Sequence, residues 1–239
     1  MFDAADNRDY IYTNSNKTLR ENVDLRQWTS PVEEQLNLGS CTGQAIVGAY
    51  ELLLNQKYPD LYTDLSRLFV YYNARQIEGY VNDDVGAYVR NGVKAVALYG
   101  VCAEVFWPYD IEKFNRSPNK ISYIDANSRR LNGYYRITSI DGILDAISND
   151  KPVVAGIQIY NGFYNLTKAN NILEMPGINE EPIGGHAMCI VGYDLPNRLF
   201  IVRNSFGIDW GDKGYCLVPF EYVINDFVDC WTFNITVNP

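Results

Sequence analysis

The chain carries a single histidine, His186, in 239 residues, which leaves one conventional general base for any acid–base chemistry. It also lacks an excess of positive charge. Twenty Lys and Arg stand against 29 Asp and Glu, giving a net charge of −9 and a pI near 4.6. That balance, with no basic stripe, argues against nucleic-acid binding, which needs a basic face to replace the counterions around phosphates. No apolar run is long enough to span a membrane. The first twenty residues, MFDAADNRDYIYTNSNKTLR, are polar and have neither a basic start nor an apolar run, so no secretory signal is expected in them. The five cysteines, Cys41, Cys102, Cys189, Cys216 and Cys230, have no paired metal-ligand spacing, and no metal site is expected. Their odd number leaves at least one thiol unpaired within a monomer, and a Cys216–Cys230 pair stays open. Internal repeats and low-complexity linkers are absent.

What is present fits a globular chain of one large domain or two packed lobes: 47% of the residues are apolar, and 19 tyrosines and four tryptophans pair apolar bodies with polar tips. Residues 1–22 read as an irregular polar arm, followed by an extended lead-in at Val23–Arg26. From Cys41 onward Ala45, Ile46, Ala49, Tyr50, Leu52 and Leu53 recur at three- and four-residue spacing, predicting a buried helix with Cys41 at its N-terminal end. Further helices are expected at Leu65–Glu78 and Tyr88–Tyr99, each stopped by a glycine in a left-handed cap. After Asn132-Gly133 the texture changes to β-rich runs: Tyr134–Ile137, Val153–Tyr160, Ala187–Tyr193, Phe200–Asn204, Gly214–Pro219 and Trp231–Val237, with one helix at Ile140–Ser148. Helices followed by strands predict an α+β chain of two lobes, here 23–133 and 134–239, with a ligand cleft where they meet.

The helix-start position of Cys41 favours a thiolate, because unpaired N–H groups place partial positive charge there. A small buried core thiol is the alternative. His186, in Gly184-Gly185-His186-Ala187-Met188, is by itself either a satisfied core residue or the base. Asn204 opens a segment dense in glycine and aromatic residues, Asn204-Ser205-Phe206-Gly207-Ile208-Asp209-Trp210-Gly211.

Taken in order, Gln35-Leu36-Asn37-Leu38-Gly39-Ser40-Cys41, then Gly184-Gly185-His186-Ala187, then the segment from Asn204 to Tyr215 resemble the papain-like (C1) cysteine peptidases. In that family His and Asn follow the nucleophile by about 130 to 150 residues; His186 fits and Asn204 falls slightly beyond. The resemblance extends to Val23–Arg26, Gly86-Ala87-Tyr88, and Tyr99-Gly100 through Trp107-Pro108-Tyr109. It implies a papain-like two-lobe fold and a cysteine-type endopeptidase working through a thioester intermediate. Cys41 would be the nucleophile, His186 its base, Asn204 the orienter of that base, and Gln35 the side-chain oxyanion donor. It implies no cofactor. A polypeptide substrate would lie along Gly86 and Ala87, with Tyr88, Val89 and Gly185 shaping the pocket for a bulky apolar side chain and Trp210 on the leaving-group side. The chain's lone histidine cannot supply the histidine pair with which dipeptide-releasing members hold a C-terminal carboxylate.

The departures are Leu38, in place of a cysteine that normally joins a disulfide, Thr42 in place of a tryptophan after the nucleophile, and Phe206 in place of a shielding tryptophan. Loss of the disulfide leans towards a reducing, intracellular setting. The alternatives are a peptide-binding relative without turnover and a Cys-His-Asn acyltransferase or amidase acting on a non-protein substrate. A monomer is expected. Residues 1–22 are too few for the family's helical prosegment. Asp9-Tyr10-Ile11-Tyr12 is the stretch expected to occupy or border the active site if the arm inhibits; a disordered terminus is the plainer expectation.

Overall fold

The computed structural model describes residues 6–15 and 18–237, with the side chains of 224–228 excepted; the rest of the N-terminal arm lies outside the described residues. Strand β1 (Asn22–Asp24) leads to helix α1 (Cys41–Lys57), which is buried on almost every face from Thr42 to Leu54. Such a helix belongs in the middle of a molecule rather than on its surface. It packs against α2 (Arg67–Glu78), α3 (Val89–Tyr99) and, from the far side, the sheet.

Both α2 and α3 start later than their periodicity predicts, because polar groups stop them. Ser66 caps α2 by accepting from the Phe69 N–H at 3.1 Å, and the Leu65 N–H goes instead to Glu51 at 2.8 Å. Tyr88 is extended and gives its N–H to Glu78 at 2.9 Å. Gly79 closes α2 in the left-handed conformation, as expected. Gly100 does not: at φ 79° and ψ −161° it turns the chain away, and a Cβ there would lie 1.8 Å from the Ala126 carbonyl oxygen. Glycine is required by that contact and by the positive φ, not by a left-handed helical cap. Helix α4 (Lys120–Ala126) was not foreseen; its Ile121 and Ile124 are exposed, so it shows no apolar face to the eye.

The second half builds a sheet from β2 (Leu131–Ile137), β3 (Val153–Ile159), β4 (Gly184–Asp194), β5 (Leu199–Arg203), β6 (Tyr215–Pro219) and β7 (Phe227–Ile235), with α5 (Ile140–Ser148) where the sequence places it and α6 (Phe220–Asp226) unforeseen. The strand order is β2-β7-β3-β4-β5-β6, all antiparallel, and β1 joins through β4, pairing Val23 with Tyr193. The extended lead-in therefore crosses to the sheet before the chain enters the helices.

The arm is neither in the cleft nor a loose terminus over its described residues. Tyr10 and Tyr12 exchange backbone hydrogen bonds with Arg136 of β2, the edge strand, at 2.8 Å each. Asp9, 7% exposed, pairs with Arg90 at 2.8 Å and Arg136 at 3.2 Å, and both guanidinium groups lie over the Trp231 ring. The Tyr12 hydroxyl donates to Asp145 at 2.8 Å. These residues strap the sheet edge that would otherwise expose unpaired backbone groups.

Within the helices, Glu51 of α1 is fully buried and meets Arg67 of α2 at 3.0 Å, with Asp64 and Glu33 at the outer side of the guanidinium. Burial pushes the Glu51 carboxyl up to about 7 even with Arg67 beside it.

Candidate active site

The first residue of α1 and the first residues of β4 face each other across a cleft of about 300 Å³. Cys41, Gln35, Gly39 and Thr42 line it from one side, and Gly185, His186, Ala187 and Phe206 from the other. Cys41 is half-buried; Ser40 precedes it without a side-chain cap, so the helix's opening N–H groups are left for whatever binds there. Burial alone would push the Cys41 thiol up. The hydrogen bond and charge of His186, helped by the backbone N–H groups of Ala187 and Thr42, overcome that and hold it below its ordinary value. The other four thiols, all free, are pushed up by burial, Cys102 and Cys189 to about 12.

The tautomer of His186 follows from its partners. Asn204 Oδ1 lies 2.7 Å from His186 Nε2 and also accepts from the Ser205 backbone N–H at 2.8 Å. An atom that accepts from a backbone N–H is the carbonyl oxygen of the amide, so Nε2 carries the proton and Nδ1 is the nitrogen left for the thiol. Asn204 itself is held where β5 ends, donating its N–H to the Gly214 carbonyl at 2.9 Å. Phe206 lies over the imidazole with ring centroids 4.9 Å apart. Phe163, fully buried in the turn Asn161–Asn165, meets the same ring edge-on at 5.5 Å. Where Phe206 is smaller than tryptophan, Phe163 supplies the missing apolar cover, and nothing in its sequence setting singles it out.

Gln35 is buried and fixed at both ends of its amide. Its Oε1 accepts from Ser205 Oγ at 2.6 Å, and its Nε2 donates one hydrogen to the Leu38 carbonyl at 3.0 Å. The second amide hydrogen remains for a ligand in the cleft. Tyr109 braces the same loop, donating to the Gln35 carbonyl at 2.8 Å and sharing a 2.6 Å hydrogen bond with Ser40.

Of the substrate-side residues, Gly86, Ala87, Val89 and Gly185 line the cleft, joined by Gly156, Ile159 and Tyr164. Tyr88 and Trp210 are not among its lining residues. Tyr88 occupies the cap position of α3, and Trp210 is buried behind Phe163, with centroids 5.0 Å apart and its indole N–H on the Phe163 carbonyl at 3.3 Å. Thr42, which replaces a tryptophan, donates to the Ala87 carbonyl at 2.8 Å and so fastens the cleft wall to α1. Leu38, where the resemblance expects a disulfide cysteine, packs with Leu68, Tyr71, Ala74 and Ala87.

The sequence profile described as "Papain family cysteine protease" matches residues 19–222, a stretch that contains every one of these cleft residues. The chain belongs to the papain family of cysteine proteases. A mimivirus protein from Acanthamoeba polyphaga mimivirus, described as an uncharacterized peptidase C1-like protein, is 36% identical over 92% of this chain and 75% of its own length. Chicken cathepsin K is 28% identical over 82% of this chain and 58% of its own. Xylellain, a cysteine protease from Xylella fastidiosa, superposes with a TM-score of 0.88 at 34% identity, covering 100% of this chain and 95% of that one. The papain-like α+β fold expected from the sequence is the fold of the molecule, and cysteine peptidase activity is the family's chemistry.

Proposed function

We propose that the chain is a cysteine-type endopeptidase with Cys41, His186 and Asn204 as its triad. The observation that carries this reading is geometric: Cys41 at the start of α1, Gln35 and His186 converge on one cleft, and Asn204 Oδ1 lies 2.7 Å from His186 Nε2, with the Cys41 thiol held below its ordinary value by that imidazole. In the resting enzyme the thiol proton sits on His186 Nδ1, leaving a thiolate at the helix N-terminus. Cys41 Sγ attacks the substrate carbonyl carbon. The oxyanion is stabilised by the Cys41 backbone N–H and the free amide hydrogen of Gln35, each worth about 3 kcal/mol in comparable acyl-transfer sites. The C–N bond then breaks as His186 Nδ1–H protonates the leaving amine. Water, deprotonated by the same nitrogen, opens the thioester and restores the pair.

An extended polypeptide would run past Gly86 and Ala87, with an apolar side chain directed to Val89 and Gly185. Endopeptidase action is the mode proposed, because the one histidine in the sequence is already used at Nε2 and Nδ1. The chain would work as a monomer of two lobes meeting at the cleft. An epoxide inhibitor of the papain class should add to Cys41 in one-to-one stoichiometry by mass analysis, and a peptide library should be cut at internal bonds. A library left intact, with no adduct on Cys41, sinks the proposal.

A further inference from the structure

The cleft wall that would carry the substrate backbone is a loop, residues 84–87, and side chains rather than a sheet hold it against the nucleophile. Both carboxylate oxygens of Asp84 accept from the Gly39 backbone N–H, at 3.0 Å each. Gly39 lies two residues before Cys41. The same carboxylate takes a short hydrogen bond from the Tyr71 hydroxyl, and the Tyr71 oxygen in turn accepts from the Gly86 N–H at 3.2 Å. Tyr71 is fully buried on α2, with the Arg75 guanidinium 4.0 Å above its ring, and burial together with Asp84 keeps its hydroxyl protonated. Its direction as donor to Asp84 and acceptor from Gly86 is thereby set.

Close approach makes the arrangement specific to these residues. A Cβ on Gly39 would meet Asp84 Oδ1 at 3.0 Å and the Gly86 nitrogen at 3.3 Å, and Gly86 itself has φ +76°. We propose that Asp84 is a positioning residue, a non-covalent cross-link that fixes the wall 84–87 relative to the Cys41 loop in a chain whose cysteines are all free. Its kinetic consequence rests on the peptidase reading; the clamp itself does not.

Three measurements on the full chain test it. Asp84→Ala should raise KM for a peptide about tenfold, with kcat changed less than threefold and the pH profile of Cys41 alkylation by iodoacetamide unmoved. Asp84→Asn, which keeps an acceptor for Gly39, should recover most of that loss. Amide hydrogen exchange at Gly39 and Gly86 should quicken about tenfold or more in Asp84→Ala, and at Gly86 alone in Tyr71→Phe. Unchanged exchange at Gly39 in Asp84→Ala overturns the proposal whether or not the chain cuts peptides. An unchanged KM, or a loss confined to kcat and to Cys41 alkylation, overturns the assigned role. Should the wild-type chain cut nothing, the peptidase reading fails and the exchange data alone decide the clamp.

Discussion

His186 and Asn204 are joined by a 2.7 Å hydrogen bond whose acceptor is independently fixed by the Ser205 backbone N–H. The amide cannot flip without losing the second bond, so the imidazole has one favoured tautomer before any substrate arrives. Phe206 and Phe163 exclude water from that bond, which strengthens it.

Asn204→Ala should therefore lower kcat about 10²-fold while KM moves little, because orientation of the base matters in the transition state and not in binding. Phe163→Ala should also lower kcat but unfold the chain more easily, since it opens a cavity in the core, at a cost of about 3 to 5 kcal/mol. Steady-state kinetics with denaturant melts separates the two. Equal loss of kcat and stability in Asn204→Ala would show a structural role instead.

The pH dependence follows from the lowered Cys41 thiol. A thiol held down by His186 stays a thiolate at pH values below the ordinary range near 8.5, so alkylation of Cys41 by iodoacetamide should persist to lower pH than that of an ordinary thiol. In His186→Ala the helix N-terminus remains but burial dominates, and the alkylation midpoint should move up past the ordinary thiol value. A midpoint that stays in place in the variant would assign the lowering to the helix alone.

The positions proposed as catalytic are legible because each carries a local signal: a cysteine at the start of an apolar helix, a sole histidine after paired glycines, an asparagine opening a glycine-aromatic segment. Gln35 was legible only through family resemblance, and its anchoring by Ser205 is a long-range contact that no local pattern announces. Helix α5 matched to the residue because its apolar spacing and Ser139 cap agree. Helix α4 was hidden by its exposed isoleucines. Tyr88 and Trp210 were placed at the cleft by analogy; neither is among its lining residues, Tyr88 standing at the cap of α3 between two that are and Trp210 packing on Phe163. The strap formed by Tyr10–Tyr12 was illegible because its partner, Arg136, lies more than a hundred residues away.

Glu51 and Arg67 form a buried pair in which desolvation outweighs the attraction, as the raised Glu51 carboxyl shows. Arg67→Met alone should cost about 3 to 5 kcal/mol by leaving Glu51 uncompensated, while Glu51→Leu with Arg67→Met should recover much of it. Between the ordinary glutamate value of 4.5 and about 7 the folded state binds the extra proton, so this group makes stability fall as pH rises through that window. Glu104, also raised to about 7 by burial, gives a slope of the same sign, so the double variant should lose the Glu51 share and keep that of Glu104. Denaturant midpoints at pH 5 and pH 7.5 check both statements, and a slope unchanged in the double variant removes Glu51 as a source.

Asp9 tests what the arm is for. Its carboxylate is nearly enclosed between Arg90 and Arg136, and Arg90 follows directly on Val89 of the cleft wall. Asp9→Ala removes the carboxylate that both guanidinium groups meet beside Trp231 and should destabilise by about 2 kcal/mol, partial exposure of Arg90 keeping the cost below that of a fully buried pair. An inhibitory arm predicts the opposite signature, higher peptidase activity with stability unchanged. Because the described arm residues hydrogen-bond to the β2 edge and none lines the cleft, the expected result is a lower melting midpoint with kcat/KM per folded molecule unaltered. A rise in kcat/KM at constant melting midpoint would return the arm to the active site.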